Sequence, residues 1–203
     1  MTLTHLAARA RGALAALALL LGATCPALAL PTGEGAGLPF LQASAVRSSE
    51  AADAVALVQA ARPQGDAEWR CLAEAIYFEA RGEPLSGQIA VAEVILNRRD
   101  SGAYPASVCG VVNQGTGQLH RCQFSYTCDG ASEAIGDDRA WADVGRVARA
   151  MLDGAPRLLT EGAMFYHARS VEPSWARHFA QTARIGAHVF YRDDALVRLA
   201  SAS

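Results

Sequence analysis

The sequence predicts one α+β domain, mainly helical, with a small hairpin. Two segments carry apolar residues at helical spacing, and a third is apolar nearly all round. Capping residues and Gly/Pro stops bracket these segments. Short aromatic stretches bounded by turn residues follow, as strands require. At 203 residues the chain fits one domain with length left for targeting or linker sequence. Half of it is apolar and 19% charged, which excludes disorder throughout, collagen and coiled coil. The net charge of −2 excludes the positive field that nucleic-acid binding relies on. All 18 basic residues are Arg, so Schiff-base, Walker-type and Ser–Lys chemistry are excluded as well.

Residues 1–29 read as a secretory signal peptide. His5, Arg9 and Arg11 precede an apolar run, and Pro26 precedes Ala27-Leu28-Ala29, a small-x-small cleavage site. An uncleaved membrane anchor is the rival, and a lipoprotein at Cys25 a weaker one. Residues 30–65, rich in Pro, Gly, Ala and Ser, read as a poorly ordered or loosely docked linker with one weak helical stretch, Ser49 to Ala61. The compact domain is expected over 66–194, and 195–203 is a tail.

Asp66 caps a helix from Ala67 to about Ala80, with Trp69, Leu72, Ala73, Ile76 and Ala80 as its inward stripe and Gly82 and Pro84 as its stop. Ser86 to Arg98 forms a buried central helix. Residues 100–117 are irregular, and alternation around Phe124 before Asp129-Gly130 suggests the hairpin. Asp137 or Asp138 caps a third helix with Trp141, Val144, Val147, Ala148, Met151 and Leu152 inward. Ala163 to Tyr166 and Ile185 to Tyr191 are short apolar segments, and His188 to Tyr191 reads as a strand.

Cys71, Cys109, Cys122 and Cys128 read as two disulfides in an exported domain, of open pairing. Their spacing holds no zinc knuckle. Glu79 falls on the inward stripe of its helix, three residues after Ile76, whereas Glu74 points away. Burial raises the pKa of such a carboxylate, as a general acid needs. A buried ion pair is the competing role, but Arg81 at i+2 does not face it. Glu83 is expected to hold the turn, Glu93 to make a core hydrogen bond, and Asp129 to serve first as a turn residue. His120, His167, His178 and His188 form no H-E-x-x-H motif, and no G-x-S-x-G is present. Tyr126, Tyr166, Trp175 and Tyr191 are either core or a platform for stacking sugars.

The stretches Cys71-Leu-Ala-Glu-Ala-Ile-Tyr-Phe-Glu79-Ala-Arg-Gly-Glu-Pro84, Gly87-Gln-Ile-Ala-Val-Ala and Val94-Ile-Leu-Asn-Arg98 resemble cell wall hydrolases of the spore-cortex-lytic-enzyme type. The resemblance continues through Tyr104-Pro, Val108-Cys-Gly-Val-Val112, Cys122-Gln-Phe-Ser-Tyr-Thr-Cys-Asp-Gly130 and Ile185-Gly-Ala-His-Val-Phe-Tyr191. It implies a lysozyme-like catalytic domain, a cleft for peptidoglycan glycan strands, and Glu79 as the catalytic acid. The four Cys suit a proteobacterial, periplasmic member, and no separate peptidoglycan-binding module is visible.

Members of that family are described as lytic transglycosylases or, more loosely, as amidases or hydrolases. The lack of an obvious second acid beside Glu79 favours a lytic transglycosylase that uses one carboxylate and no metal or cofactor. Gln123, Phe124, Ser125, Asp129, Tyr166 and Trp175 are the expected substrate-binding residues, and the enzyme is expected to be a periplasmic or secreted monomer. No nucleic acid is expected as partner, and no membrane unless the signal stays uncleaved. An N-acetylmuramoyl-L-alanine amidase with His167 or His188 on a metal, and a non-catalytic wall-binding module, are the alternatives.

Overall fold

The computed structural model describes residues 52–118 and 121–196. The signal segment with Cys25, residues 30–51, His120 and residues 197–203 lie outside the described residues. Residues 52–60 form α1. The Asp66 carboxylate accepts from the Trp69 amide at 3.0 Å and starts α2 (Ala67–Ala80). After the Gly82–Pro84 break comes α3 (Leu85–Asp100), in which every residue from Gly87 to Leu96 is buried. Ser107 caps a short α4 (Val108–Val112), and Asp137 caps α5 (Asp138–Leu152), accepting from the Ala140 amide at 2.9 Å.

β1 (Phe165–Ala168), β2 (Ala180–Ile185) and β3 (His188–Arg192) form one antiparallel sheet with β3 in the middle. The fold is mainly helical α+β, as expected. α3 can be apolar nearly all round because it is covered on two sides. Ile89, Val91, Ala92, Ile95 and Leu96 join Leu72, Ile76, Val111, Val144 and Val147 in the main core, while Ala90 and Val94 pack on Phe190 of β3. Glu93 fastens the same helix to the chain before the sheet. Its fully buried carboxylate accepts from the Leu159 and Thr160 amides at 2.9 and 2.8 Å and from the Thr160 hydroxyl at 2.6 Å.

Two expectations change. The hairpin is not at Phe124. Residues 125–127 form a 3-10 turn bracketed by the Cys122–Cys128 disulfide, with the Thr127 hydroxyl donating to the Phe124 carbonyl. The hairpin is β2–β3, which turns at Gly186-Ala187. The segment 30–65 also reaches the core before its end. Val58 of α1 is buried in the main cluster, and a Cβ on Gly145 of α5 would lie only 2.9 Å from Pro63. The packed structure therefore begins before Asp66.

Candidate active site

Glu79 sits in the last turn of α2, on the stripe that faces the core. Across the fold, Tyr166 of β1 donates its hydroxyl to Glu79 Oε2 at 2.9 Å. Burial raises the Glu79 pKa above the ordinary carboxylate value, against the opposing pull of the Tyr166 hydrogen bond and the Arg98 charge. Burial and the nearby Glu79 also push the Tyr166 phenol well up, so it stays a donor. Arg81 is not a partner; it donates to the Tyr77 carbonyl and lies over the Tyr77 ring.

Arg98 is not among the expected site residues. It is 3% exposed on α3, in line with the apolar Val91, Val94 and Ile95, the same stripe signal that singles out Glu79. Its Nε donates to the Met164 carbonyl at 2.7 Å, just before β1. The Gln123 carboxamide lies 3.1 Å from the guanidinium, with its oxygen as the end that accepts. The Tyr104 and Phe124 rings flank the same cation. Arg98 thus anchors both the sheet and the disulfide loop while placing a positive charge near Glu79.

The structure divides the expected substrate-binding residues. Tyr166 touches Glu79, and Gln123 reaches its surroundings through Arg98. Ser125 and Asp129 line an open depression of about 850 Å³ with Thr116, Gln118, Thr127 and Glu133. Asp129 is exposed there and accepts from the Ala131 amide, the turn role expected of it. Phe124 does not line a cleft; at 2% exposed it belongs to the main core. Trp175 packs with Phe165, His167, Phe179 and Tyr191. Strand alternation puts Phe165 and His167 on the face of β1 opposite Tyr166, so Trp175 and Glu79 are on opposite sides of the sheet.

The other groups have structural partners. Cys71 pairs with Cys109, joining α2 to α4, and Cys122 pairs with Cys128. Glu83 holds its turn, as expected, by accepting from the Ala187 amide at 2.9 Å. Glu74 pairs with Arg70. His167 bonds the Tyr191 hydroxyl and sits on the Trp175 face, whereas His188 meets the Tyr166 ring edge-on at 5.2 Å. The two histidines proposed as alternative metal ligands therefore face opposite ways. Among the described residues, no three His, Cys, Asp or Glu side chains converge to hold a metal, and no helix is long and apolar enough to cross a membrane.

Three comparisons bear on this site. The model of the Cell Wall Hydrolase family matches residues 82–191, starting just after Glu79. The spore cortex-lytic enzyme of Bacillus subtilis is 36% identical over 124 residues, 60% of this chain and 36% of that protein. That of Halalkalibacterium halodurans is 34% identical over 127 residues, 62% of this chain and 34% of that protein. The chain thus spans about a third of the length of these curated relatives. Among solved structures, the catalytic domain of the Bacillus cereus SleB protein is 30% identical with a TM-score of 0.48, covering 62% of this chain and 89% of that one. The catalytic domain of the germination-specific lytic transglycosylase SleB of Bacillus anthracis is also 30% identical, with a TM-score of 0.49 and coverage of 64% and 97%.

Proposed function

The chain belongs to the cell wall hydrolase family, and from that premise we propose that it is an exported lytic transglycosylase acting on peptidoglycan, with Glu79 as its single acid and base. The observation that carries this reading is the Glu79–Tyr166 pair: a carboxylate whose pKa burial raises, with one oxygen fixed by a neutral donor. Its carboxylate neighbours along the chain are engaged elsewhere, Glu74 with Arg70 and Glu83 with the Ala187 amide.

Protonated Glu79 donates to the oxygen of the glycosidic bond between N-acetylmuramic acid and N-acetylglucosamine. The bond from that oxygen to the muramoyl C1 breaks, and the leaving sugar departs with the proton. The Glu79 carboxylate then removes the proton of the muramoyl C6 hydroxyl, whose oxygen bonds to C1. The product is a 1,6-anhydro end, and Glu79 is protonated again. One carboxylate serves because the substrate supplies the nucleophile, where most glycosidases use two. Tyr166 keeps Oε2 occupied and leaves Oε1 for the moving proton. Gln123, Ser125 and Asp129 are proposed to contact the glycan along the disulfide loop. We place the enzyme in the periplasm or outside the cell, as a monomer.

The test is mass spectrometry of the soluble products that the chain from residue 30 releases from purified sacculi, beside Glu79→Gln. Anhydro ends that vanish in the variant support the reading. Reducing muramic acid ends would mean hydrolysis, free stem peptides an amidase, and sacculi bound without release a binding module.

A further inference from the structure

Two buried side-chain polar atoms, the Tyr126 hydroxyl and His188 Nδ1, find no hydrogen-bond partner among the described residues. Both belong to rings gathered around the Glu79–Tyr166 pair. His188 packs its ring against Tyr166. Tyr126 stacks on Phe78, the residue before Glu79, at 4.6 Å between centroids and 22° between planes.

The position of Tyr126 is closely built. It is the middle residue of the 3-10 turn between Cys122 and Cys128, 9% exposed, with the Phe124 ring tilted toward it at 6.4 Å between centroids. A Phe would keep the stack without burying a hydroxyl, and an unpaired buried hydroxyl costs about 1–3 kcal/mol. Such a group in a native fold calls for a use. The groups that act on the phenol are carboxylates, Glu74 and Glu79 of α2 and Glu133 of the following loop, and they raise its pKa further than burial alone. The Tyr166 phenol feels it too. Tyr126 is therefore a neutral donor with carboxylates of α2 and of the following loop in its neighbourhood.

Glu79 has a corresponding need, if it serves as acid and base as read above. While protonated it is served by Tyr166 at Oε2. Once its proton has moved to the leaving sugar, it is a desolvated carboxylate, and Arg98 is its cationic neighbour. We propose that Tyr126 is a positioning residue whose hydroxyl hydrogen-bonds Glu79 in its ionised state, so that two tyrosines hold the carboxylate for the base step. The disulfide loop then has a catalytic purpose: it carries the second donor.

The test is Tyr126→Phe in the oxidised chain from residue 30, assayed on sacculi across pH together with its melting temperature. A hydrogen bond to a charged group corresponds to a loss of about 10- to 100-fold in kcat when removed. KM is expected to stay unchanged. The basic limb of the kcat profile should move to higher pH, because the ionised form of Glu79 has lost a donor. The melting temperature should hold or rise, because the free enzyme loses no hydrogen bond. Wild-type kcat and pH profile in the variant would overturn the proposal. So would a loss of activity that tracks a fall in melting temperature and leaves the basic limb in place. Product analysis of the wild type is separate: absence of anhydro ends there would sink the transglycosylase reading, while the shift of the basic limb decides the role of Tyr126.

Discussion

Glu79 is held where its charge is disfavoured, which makes it useful as an acid and costly to the fold. Its folded pKa is raised, so the folded state binds the proton more tightly than the unfolded chain does. That contribution to stability is fully present at low pH and is lost as pH rises through the folded value. Glu79→Gln should therefore raise the melting temperature at pH 7 relative to wild type, with the gain shrinking toward pH 4. The same substitution should lower activity by at least about a hundred-fold, the low end for loss of a general acid. Tyr166→Phe removes a donor that favours the ionised form, so the basic limb of its activity profile should lie above that of wild type. Glu79 could be found from the sequence because its neighbours on one helix supply the pattern. Tyr166 could be picked only as an aromatic, since its bond to Glu79 joins residues 87 apart and depends on where the sheet lands. Arg98 shows the stripe signal as clearly as Glu79 does, read on the neighbouring helix.

At the scale of elements, the helices were legible because they declare themselves locally. Asp66 and Asp137 act as the caps their positions suggest, and the inward faces of α2 and α5 match their apolar spacing. Of the strands, β3 did so too, its run from His188 to Tyr191 reading as a strand, but β2 did not. β2 reads Ala-Gln-Thr-Ala-Arg-Ile, an edge strand too polar for alternation to show, and its pairing with β3 is tertiary. Around Phe124 the alternation was real, but the disulfide and the burial of that ring favour a 3-10 turn. The hairpin β2–β3 is tied to the α2–α3 turn through Glu83. Gly186 has φ +56°, and a Cβ there would collide with the Glu83 carboxylate. Gly186→Ala should destabilise the domain by more than about 1 kcal/mol in denaturant titration. Glu93→Ala, which leaves three donors without their acceptor, two of them buried, should cost about 2–6 kcal/mol by the same measurement, at about 1–3 kcal/mol for each buried donor.

For the whole molecule, the two disulfides do different work. Cys71–Cys109 spans 38 residues of sequence and clamps α2, which carries Glu79, to α4. Cys122–Cys128 spans 6 and holds only the loop with Tyr126. Chain entropy gives about 4 kcal/mol for removing the first by Cys→Ala substitution and about 2 kcal/mol for the second. Urea titration of the two double variants should show that order. Activity should respond differently, with the short loop costing more turnover per unit of stability lost because its Tyr126 packs on Phe78, the residue before Glu79. The sequence pattern pointed to two disulfides and left the pairing open, since Cβ positions depend on how α2 meets α4.

In the proposed reaction the substrate's own C6 oxygen, activated by Glu79, displaces the leaving sugar. Digestion of sacculi in water enriched in ¹⁸O tests it most directly. The expected products are muramoyl ends two hydrogens and one oxygen lighter than a reducing sugar, without ¹⁸O, with none released by Glu79→Gln. Reducing muramic acid ends carrying ¹⁸O would rule out transglycosylation, because the attacking oxygen would then have come from water.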